Sequence, residues 1–367
     1  MIAGRATAHG TQALAENSPE PASYSYGDGG LAISSIGLGT VRHAASDVLD
    51  TAYTAVVGRA LELGCNLFDT ALSYRFQRSE RVIGAVLADR IANGSIHREA
   101  VVVATKGGYV AFDGAEPSEP DKWVHKTFID AGLAKPHEFV SNYRHCFAPD
   151  FLNYSIAASR ANLGLDTIDI YYLQNPETQR ITLSHDSFRR RMTDAFETLE
   201  QAVEDGRIGN YGLSTWTGLR VAPKAPDYLS LAEMVGIAYE VAGNTHHFRY
   251  VQMPYNAMMP EAFAFENQQV GEAFLPPLAA AEELGLYSTV SAAIHQGRLS
   301  VPLVPQLPEY LPGLPSDAAC ALQFARSTPG VCAALLGTAN VAHLEEDLSL
   351  LQRSPAEPAV IEALFRR

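Results

Sequence analysis

The stretch "NLFDTALSYRFQRSERVIGAVL", residues 66–87, carries three elements in 22 residues. A short apolar run ends on Asp69, Tyr74 follows five residues later, and the segment beyond it places Val82, Ile83, Val86 and Leu87 on one helical face. That is a strand, a polar turn and an amphipathic helix. The same unit recurs along the chain. Strand-like runs are "SIGLGT", "NLFDTA", "AVVVATK", "DIYYLQ", "NYGLST", "YVQMPY", "YSTVSA" and "CAALLGT", and helical patterns such as "DTAYTAVVGRALELG" and "MTDAFETLEQAVEDG" separate them, with "VAHLEEDLSLLQ" closing the series. Strand–helix alternation favours a parallel sheet, and eight repeats point to an α/β fold closed as a (β/α)8 TIM barrel rather than an open doubly wound sheet. The expected organisation is a flexible leader over 1–28, a single barrel domain over 29–355 with a long insertion at about 109–150, and a tail over 356–367.

Composition narrows the function. The chain has 367 residues, 47% of them hydrophobic, enough to bury a large core. No apolar stretch approaches the roughly 20 residues that span a bilayer, and the opening segment lacks an apolar signal core, so a cytoplasmic protein without a membrane partner is expected. A net charge of −14 and the lack of clustered Lys and Arg argue against nucleic acid. Cys65, Cys146, Cys320 and Cys332 show no metal-finger spacing and read as free structural thiols. His145, His185, His246 and His247 have no acid or Cys at ligand spacing, so no metal is expected and they read as surface or capping residues. The oligomeric state is left open.

Catalytic residues of such barrels sit at the carboxyl ends of strands. Those ends are polar here: Asp69 in "FDTA", Lys106 in "VVVATKGG", Gln174 in "YYLQNPE", Ser214 and Thr215 in "YGLSTW", and Gln252 in "VQMPYN". A lysine after an apolar run is costly to bury without a carboxylate, and Asp69 on the neighbouring strand is the natural partner. Tyr74 completes a cluster in which a nearby ammonium favours the phenolate, making the phenol a general acid that can also accept a proton.

In the order "IGLGT", "FDTALSY....SERVIG", "VVVATKGG", "SRANLGLDTIDIYYLQNPE", "GRIGNYGLSTW", "VQMPYN", "QGRL" and "LLGTANVAHLEEDL", the chain resembles the aldo-keto reductases from about residue 30 to 352. The resemblance implies a (β/α)8 barrel and nicotinamide-dependent interconversion of carbonyl and alcohol. Of the family's Asp, Tyr, Lys and His tetrad it carries the first three onto Asp69, Tyr74 and Lys106, with Asp69 orienting Lys106 and Lys106 tuning Tyr74. The fourth member, commonly histidine, is Gln174, which can donate a hydrogen bond but cannot relay a proton near neutrality. Asn175 and Trp216 are the neighbouring candidates for substrate contact.

The resemblance also implies a cofactor site. Gly39 and Thr40 would lie near the nicotinamide ribose, Ser214, Thr215 and Gln252 would hold the carboxamide, and Gln296, Gly297, Arg298 and Leu299 would approach the pyrophosphate. Ser291 stands where the family usually stacks an aromatic on the nicotinamide. At the start of the last helix Gly337 and His343 replace the usual Lys and Arg, leaving Thr338, Asn340 and His343, with Glu346 and Asp347 beyond them, to meet the adenosine end. The amino end of a helix favours an anion. NADP(H) is expected, with NAD(H) the alternative. In the insertion, Tyr109, Phe112, Trp123 and Phe128 would either line a substrate pocket or pack a local subdomain. Three functions compete: a reductase of a ketone, aldehyde or imine; a sugar-type dehydrogenase on the same fold; and a catalytically weak, cofactor-binding regulatory protein.

Overall fold

The computed structural model describes residues 1–41, 44–301, 304 and 307–365. Eight parallel strands close in chain order into a barrel: β1 (Ile36–Gly39), β2 (Leu67–Asp69), β3 (Val102–Gly107), β4 (Ile168–Gln174), β5 (Ile208–Ser214), β6 (Phe248–Pro254), β7 (Tyr287–Ser291) and β8 (Val331–Leu336). These are the eight runs expected from the sequence. Each is followed by an outer helix: α1 (Asp47–Glu62), α2 (Arg78–Ala92), α3 (Pro149–Leu163), α4 (His185–Glu204), α5 (Leu231–Ala242), α6 (Pro277–Glu283), α7 (Asp317–Arg326) and α8 (Val341–Leu348). Helix starts are set by side-chain caps. Ser46, Ser184, Ser230 and Ser316 each accept the backbone N–H three residues on, the kind of cap worth about 1 kcal/mol.

The period-2 alternation of each strand sorts its residues into two cores. Phe68, Val103, Tyr171, Leu173, Leu213 and Val251 face the helices in the main core. Leu67, Ala104, Ile170, Tyr172, Tyr250 and Leu335 fill the barrel itself. Gly212 makes room for that filling, because a Cβ there would lie 3.0 Å from the Tyr172 ring and closer still to the backbone of Tyr250. Continuing the inner parity to the carboxyl ends brings Asp69, Lys106, Gln174, Ser214 and Gln252 to the inside face. Register aligns the last three in one row, with Gln174 and Gln252 both opposite Ser214. Polar residues that look like strand terminators in the sequence are thus the top layer of the barrel interior.

The leader differs from expectation. Residues 1–28 contain a helix, Ala8–Glu16, and a strand, Tyr24–Tyr26, that pairs antiparallel with Ala32–Ser34 across the amino-end floor of the barrel. Ala6 and Leu31 enter the inner core, and the backbone N–H of Asp28 donates to the Tyr250 hydroxyl at 3.0 Å. Small residues, which suggested flexibility, instead permit close packing: a Cβ on Gly10 would lie 2.6 Å from the backbone of Glu99. The tail likewise holds a helix, Pro358–Phe365, whose Ile361 is buried and whose Phe365 ring lies 5.0 Å from that of Phe263.

The insertion after β3 packs as a small unit of its own. Phe112 and Phe128 are buried with Val124, Phe139 and Phe151, and Trp123 packs edge-on to both rings. All four cysteines are free and buried. No helix among the described residues is long and apolar enough to cross a membrane.

Candidate active site

The top layer of the barrel encloses a charged pair. Lys106 Nζ donates to Asp69 Oδ1 at 2.6 Å and to the Thr70 carbonyl at 2.8 Å, with both side chains almost fully buried. The other carboxylate oxygen, Oδ2, accepts from Gln252 Nε2 at 2.8 Å, and Gln252 Oε1 accepts from the Ser214 hydroxyl at 2.8 Å. Asp69 therefore anchors a chain of side chains running from β3 through β2 to β6 and β5. In the structure Gln252 and Ser214 hold each other and Asp69, which sets their orientation toward the space above.

Tyr74 stands over this pair, with Lys106 Nζ 5.1 Å from its ring centroid. The local electrostatics reverse one expectation. Burial pushes the Tyr74 phenol well above its ordinary value, and the charge of Asp69 adds to the rise. Burial also pulls the Lys106 ammonium below its ordinary value, opposed by Asp69. Burial and the neighbouring carboxylate both favour the neutral phenol, so the surroundings of Tyr74 favour its protonated form rather than a phenolate.

A cavity of about 350 Å³ opens above the cluster, lined by Gly39, Asp69, Tyr74, Gln174, Ser214 and Gln252, by Asn175, Thr215 and Trp216, and by Ser291 at the end of β7 with Ala292 and Ile294 just beyond it. Sequence reasoning did not single out Val41, Ala292 or Ile294, which line it as well. Ala292 has a left-handed φ of 58°, which no local signal for a non-glycine residue would indicate. Lys106 lies beneath the cavity, and Thr40 is buried behind it, its N–H donating to the Asp69 carbonyl at 3.1 Å.

A second cavity of about 610 Å³ adjoins the first, sharing Ile294 and Gly337. Gly297, Thr338, Asn340, His343, Glu346 and Asp347 line it, together with Ser300 and Ser316. Asn340 Oδ1 caps α8 by accepting from the N–H groups of Ala342 and His343, so its side chain is committed to the helix. Asp347 is buried with Oδ1 unpartnered, and burial beside Glu346 raises its carboxyl to about 7. Arg298 and Leu299 line neither cavity: Arg298 is exposed and Leu299 buried. The side chain of Gln296 lies outside the described residues.

His145, expected on the surface or as a cap, is instead fully buried. Its Nε2–H donates to the Gln174 carbonyl at 2.7 Å, and its Nδ1 accepts from Gln179 Nε2 at 2.9 Å. Burial lowers it to about 4, so it is a neutral support under Gln174 rather than a proton carrier. His246 is buried as well, His247 bonds Glu200 at 2.7 Å and His185 is exposed. Tyr109 is the insertion's contribution nearest the site, receiving a hydrogen bond from Asn175 Nδ2 at 3.1 Å. No group of three or more candidate metal-binding side chains is present among the described residues.

Fold and site together define a closed (β/α)8 barrel with an acid–lysine–tyrosine cluster at the carboxyl ends of its strands. The chain belongs to the aldo/keto reductase family, whose model matches residues 35–267. It is similar to a D-threo-aldose 1-dehydrogenase of Pseudomonas sp., with 30% identity over 206 residues, 54% of either chain, so it spans about half the length of the curated relatives it matches. Among solved structures it is similar to the holo form of an aldo-keto reductase from Bacillus halodurans, with a TM-score of 0.63, 19% identity and coverage of 93% of this chain and 95% of the other. An aldo/keto reductase from Klebsiella pneumoniae in complex with NADP and acetate superposes with a TM-score of 0.61 at 17% identity, covering 94% and 97%. At these identities the structural likeness establishes the fold.

Proposed function

We propose that this chain is a nicotinamide-dependent oxidoreductase that interconverts a carbonyl and an alcohol, with Tyr74 as general acid. The carrying observation is the Asp69–Lys106 pair buried under Tyr74 at the floor of a cavity that continues into a second one at α8. The lining fits the cofactor seen in the Klebsiella relative. Ser214, Thr215 and Gln252 present polar groups to the inner cavity, where a carboxamide would lie, and Thr338, His343 and Asp347 line the outer one, where an adenosine would lie. Thr338 and His343 are the candidates for a 2′-phosphate, which supports NADP(H), with NAD(H) as the alternative.

When bound, the reduced nicotinamide supplies the hydride. The phenol of Tyr74, held protonated by its surroundings, gives its proton to the carbonyl oxygen. Gln174 donates an amide hydrogen to the same oxygen, taking the place of a histidine donor without titrating. Asp69 holds Lys106 beneath the ring, and the ammonium stabilises the phenolate left after transfer.

A sugar-type dehydrogenase is the second reading. Apart from Asp69, the described lining of the inner cavity carries no charged side chain, and Gln174, Asn175 and Ser291 beside Trp216 suit a neutral, hydroxyl-bearing substrate. The relative named for D-threo-aldose points the same way. Purified protein assayed with NADPH or NADH against a carbonyl panel, and with NAD(P)+ against aldoses, tests both. Carbonyl-dependent consumption supports reduction and aldose-dependent reduction of NAD(P)+ supports the second reading. Tight cofactor binding without turnover in either arm would overturn the assignment as an enzyme.

A further inference from the structure

Glu177 lies just outside the cavity and none of the roles above uses it. Its residue is 5% exposed, yet it carries a carboxyl that burial pushes upward. Oε1 accepts two backbone hydrogen bonds, from Trp216 N–H at 2.6 Å and Thr217 N–H at 3.1 Å. Oε2 is buried without a partner. The chain is bent to make these bonds: Asn175 adopts a left-handed φ of 47°, its N–H donates to the Ser214 carbonyl at 2.6 Å, and Pro176 then turns Glu177 back across the end of β5. Thr215 Oγ1 accepts the Gly218 N–H at 3.0 Å and closes the turn from the other side.

Beyond Ser214 the strand pairing of β5 with β4 stops, leaving the N–H groups of residues 216 and 217 without strand partners. Backbone donors with limited access to water need an acceptor, and the Glu177 carboxyl is that acceptor. Trp216, 40% exposed, is held on the rim of the inner cavity instead of folding away into apolar surface.

We infer that Glu177 is a positioning residue: its carboxyl fixes the Trp216 turn so that the indole forms one wall of the substrate site. This rests on the proposed function for the substrate-facing role of Trp216. The wall acts on binding of substrate in ground and transition states alike, so its loss raises KM more than it lowers kcat.

The test uses the full chain with Trp123→Phe, which leaves Trp216 as the sole indole, since the sequence contains two tryptophans. Acrylamide quenching and emission anisotropy of Trp216 are compared for Glu177, Glu177→Ala and Glu177→Gln, alongside NADPH binding and kinetics on the aldehyde and aldose panel. Glu177→Ala is expected to make Trp216 more quenchable and less anisotropic, to raise KM by roughly tenfold with kcat changed by less than about threefold, and to leave NADPH binding intact. Glu177→Gln keeps the Oε1 acceptor and restores the Trp216 signals. Unchanged Trp216 emission in a folded Glu177→Ala protein overturns the inference, as does a KM equal to that of the parent. Absence of turnover on every substrate counts against the proposed function instead, and the quenching comparison then decides the inference alone.

Discussion

Two buried acid–base pairs stand at opposite ends of the same barrel. At the amino end, Asp169 at the start of β4 accepts from Arg98 at 2.7 Å, from the Ala6 N–H at 2.6 Å and from the Val103 N–H at 2.8 Å, while Arg98 also donates to the carbonyls of Val101 and Thr167. At the carboxyl end, Asp69 and Lys106 are buried as deeply, but they lie under an open cavity and beside a phenol. Both are costly charges that need partners. The amino-end pair spends its hydrogen bonds on backbone and locks the leader to the floor. The carboxyl-end pair spends its own on Gln252 and Thr70 and leaves its field directed at Tyr74. A buried ion pair thus acquires a role from what surrounds it.

The comparison is broken most forcefully at Tyr74. Tyr74→Phe should lower turnover by roughly two to four orders of magnitude, the scale of a lost general acid, while cofactor titration and thermal midpoint stay near the parent's. Near-parental kcat would mean that the carboxyl-end pair serves structure as the other does. Asp169→Ala should show the opposite pattern, with a loss of about 3–5 kcal/mol in urea unfolding because Arg98 is left buried and unpaired, and with kcat per folded molecule kept.

Gln174→Ala sharpens the comparison at the reacting oxygen, with an expected loss of roughly 1–3 kcal/mol of transition-state stabilisation in kcat/KM. Gln174→His should retain substantial activity and add an ionisation near neutrality to the pH profile, absent from the parent. Unchanged kcat/KM in Gln174→Ala would assign the orientation of substrate to Asn175 or Trp216.

The support under Gln174 supplies a pH dependence. His145 is lowered from 6.5 to about 4 in the folded protein, so between those values the unfolded chain binds the extra proton. Its stabilising contribution is complete above about pH 6.5 and should be lost progressively as pH falls toward 4. Urea unfolding over that range, compared with His145→Gln, should show a shallower slope in the variant. The smallest effect is expected at the adenosine end, where His343→Ala should weaken NADPH by a few-fold more than NADH, about 1 kcal/mol or less for a solvent-facing contact. Equal weakening of both in a titration would remove His343 from the 2′-phosphate site.

Much of this protein was legible in the chain. Eight strand–helix units could be counted because strand-like runs and helix periodicity are local signals, and Asp69, Lys106, Gln174, Ser214 and Gln252 could be picked out because each closes one of those runs. Asp69 and Tyr74 lie in one strand–turn–helix unit, so their association followed from spacing. Tertiary structure decided the rest. Gln252 reaches Asp69 across 183 residues, Glu177 finds the Trp216 turn 39 residues away, and residues 1–28 become a floor because their small side chains meet a complementary surface. The protonation of Tyr74 was beyond any motif for the same reason: desolvation is summed over every neighbour that excludes water, and those neighbours come from separate strands and loops.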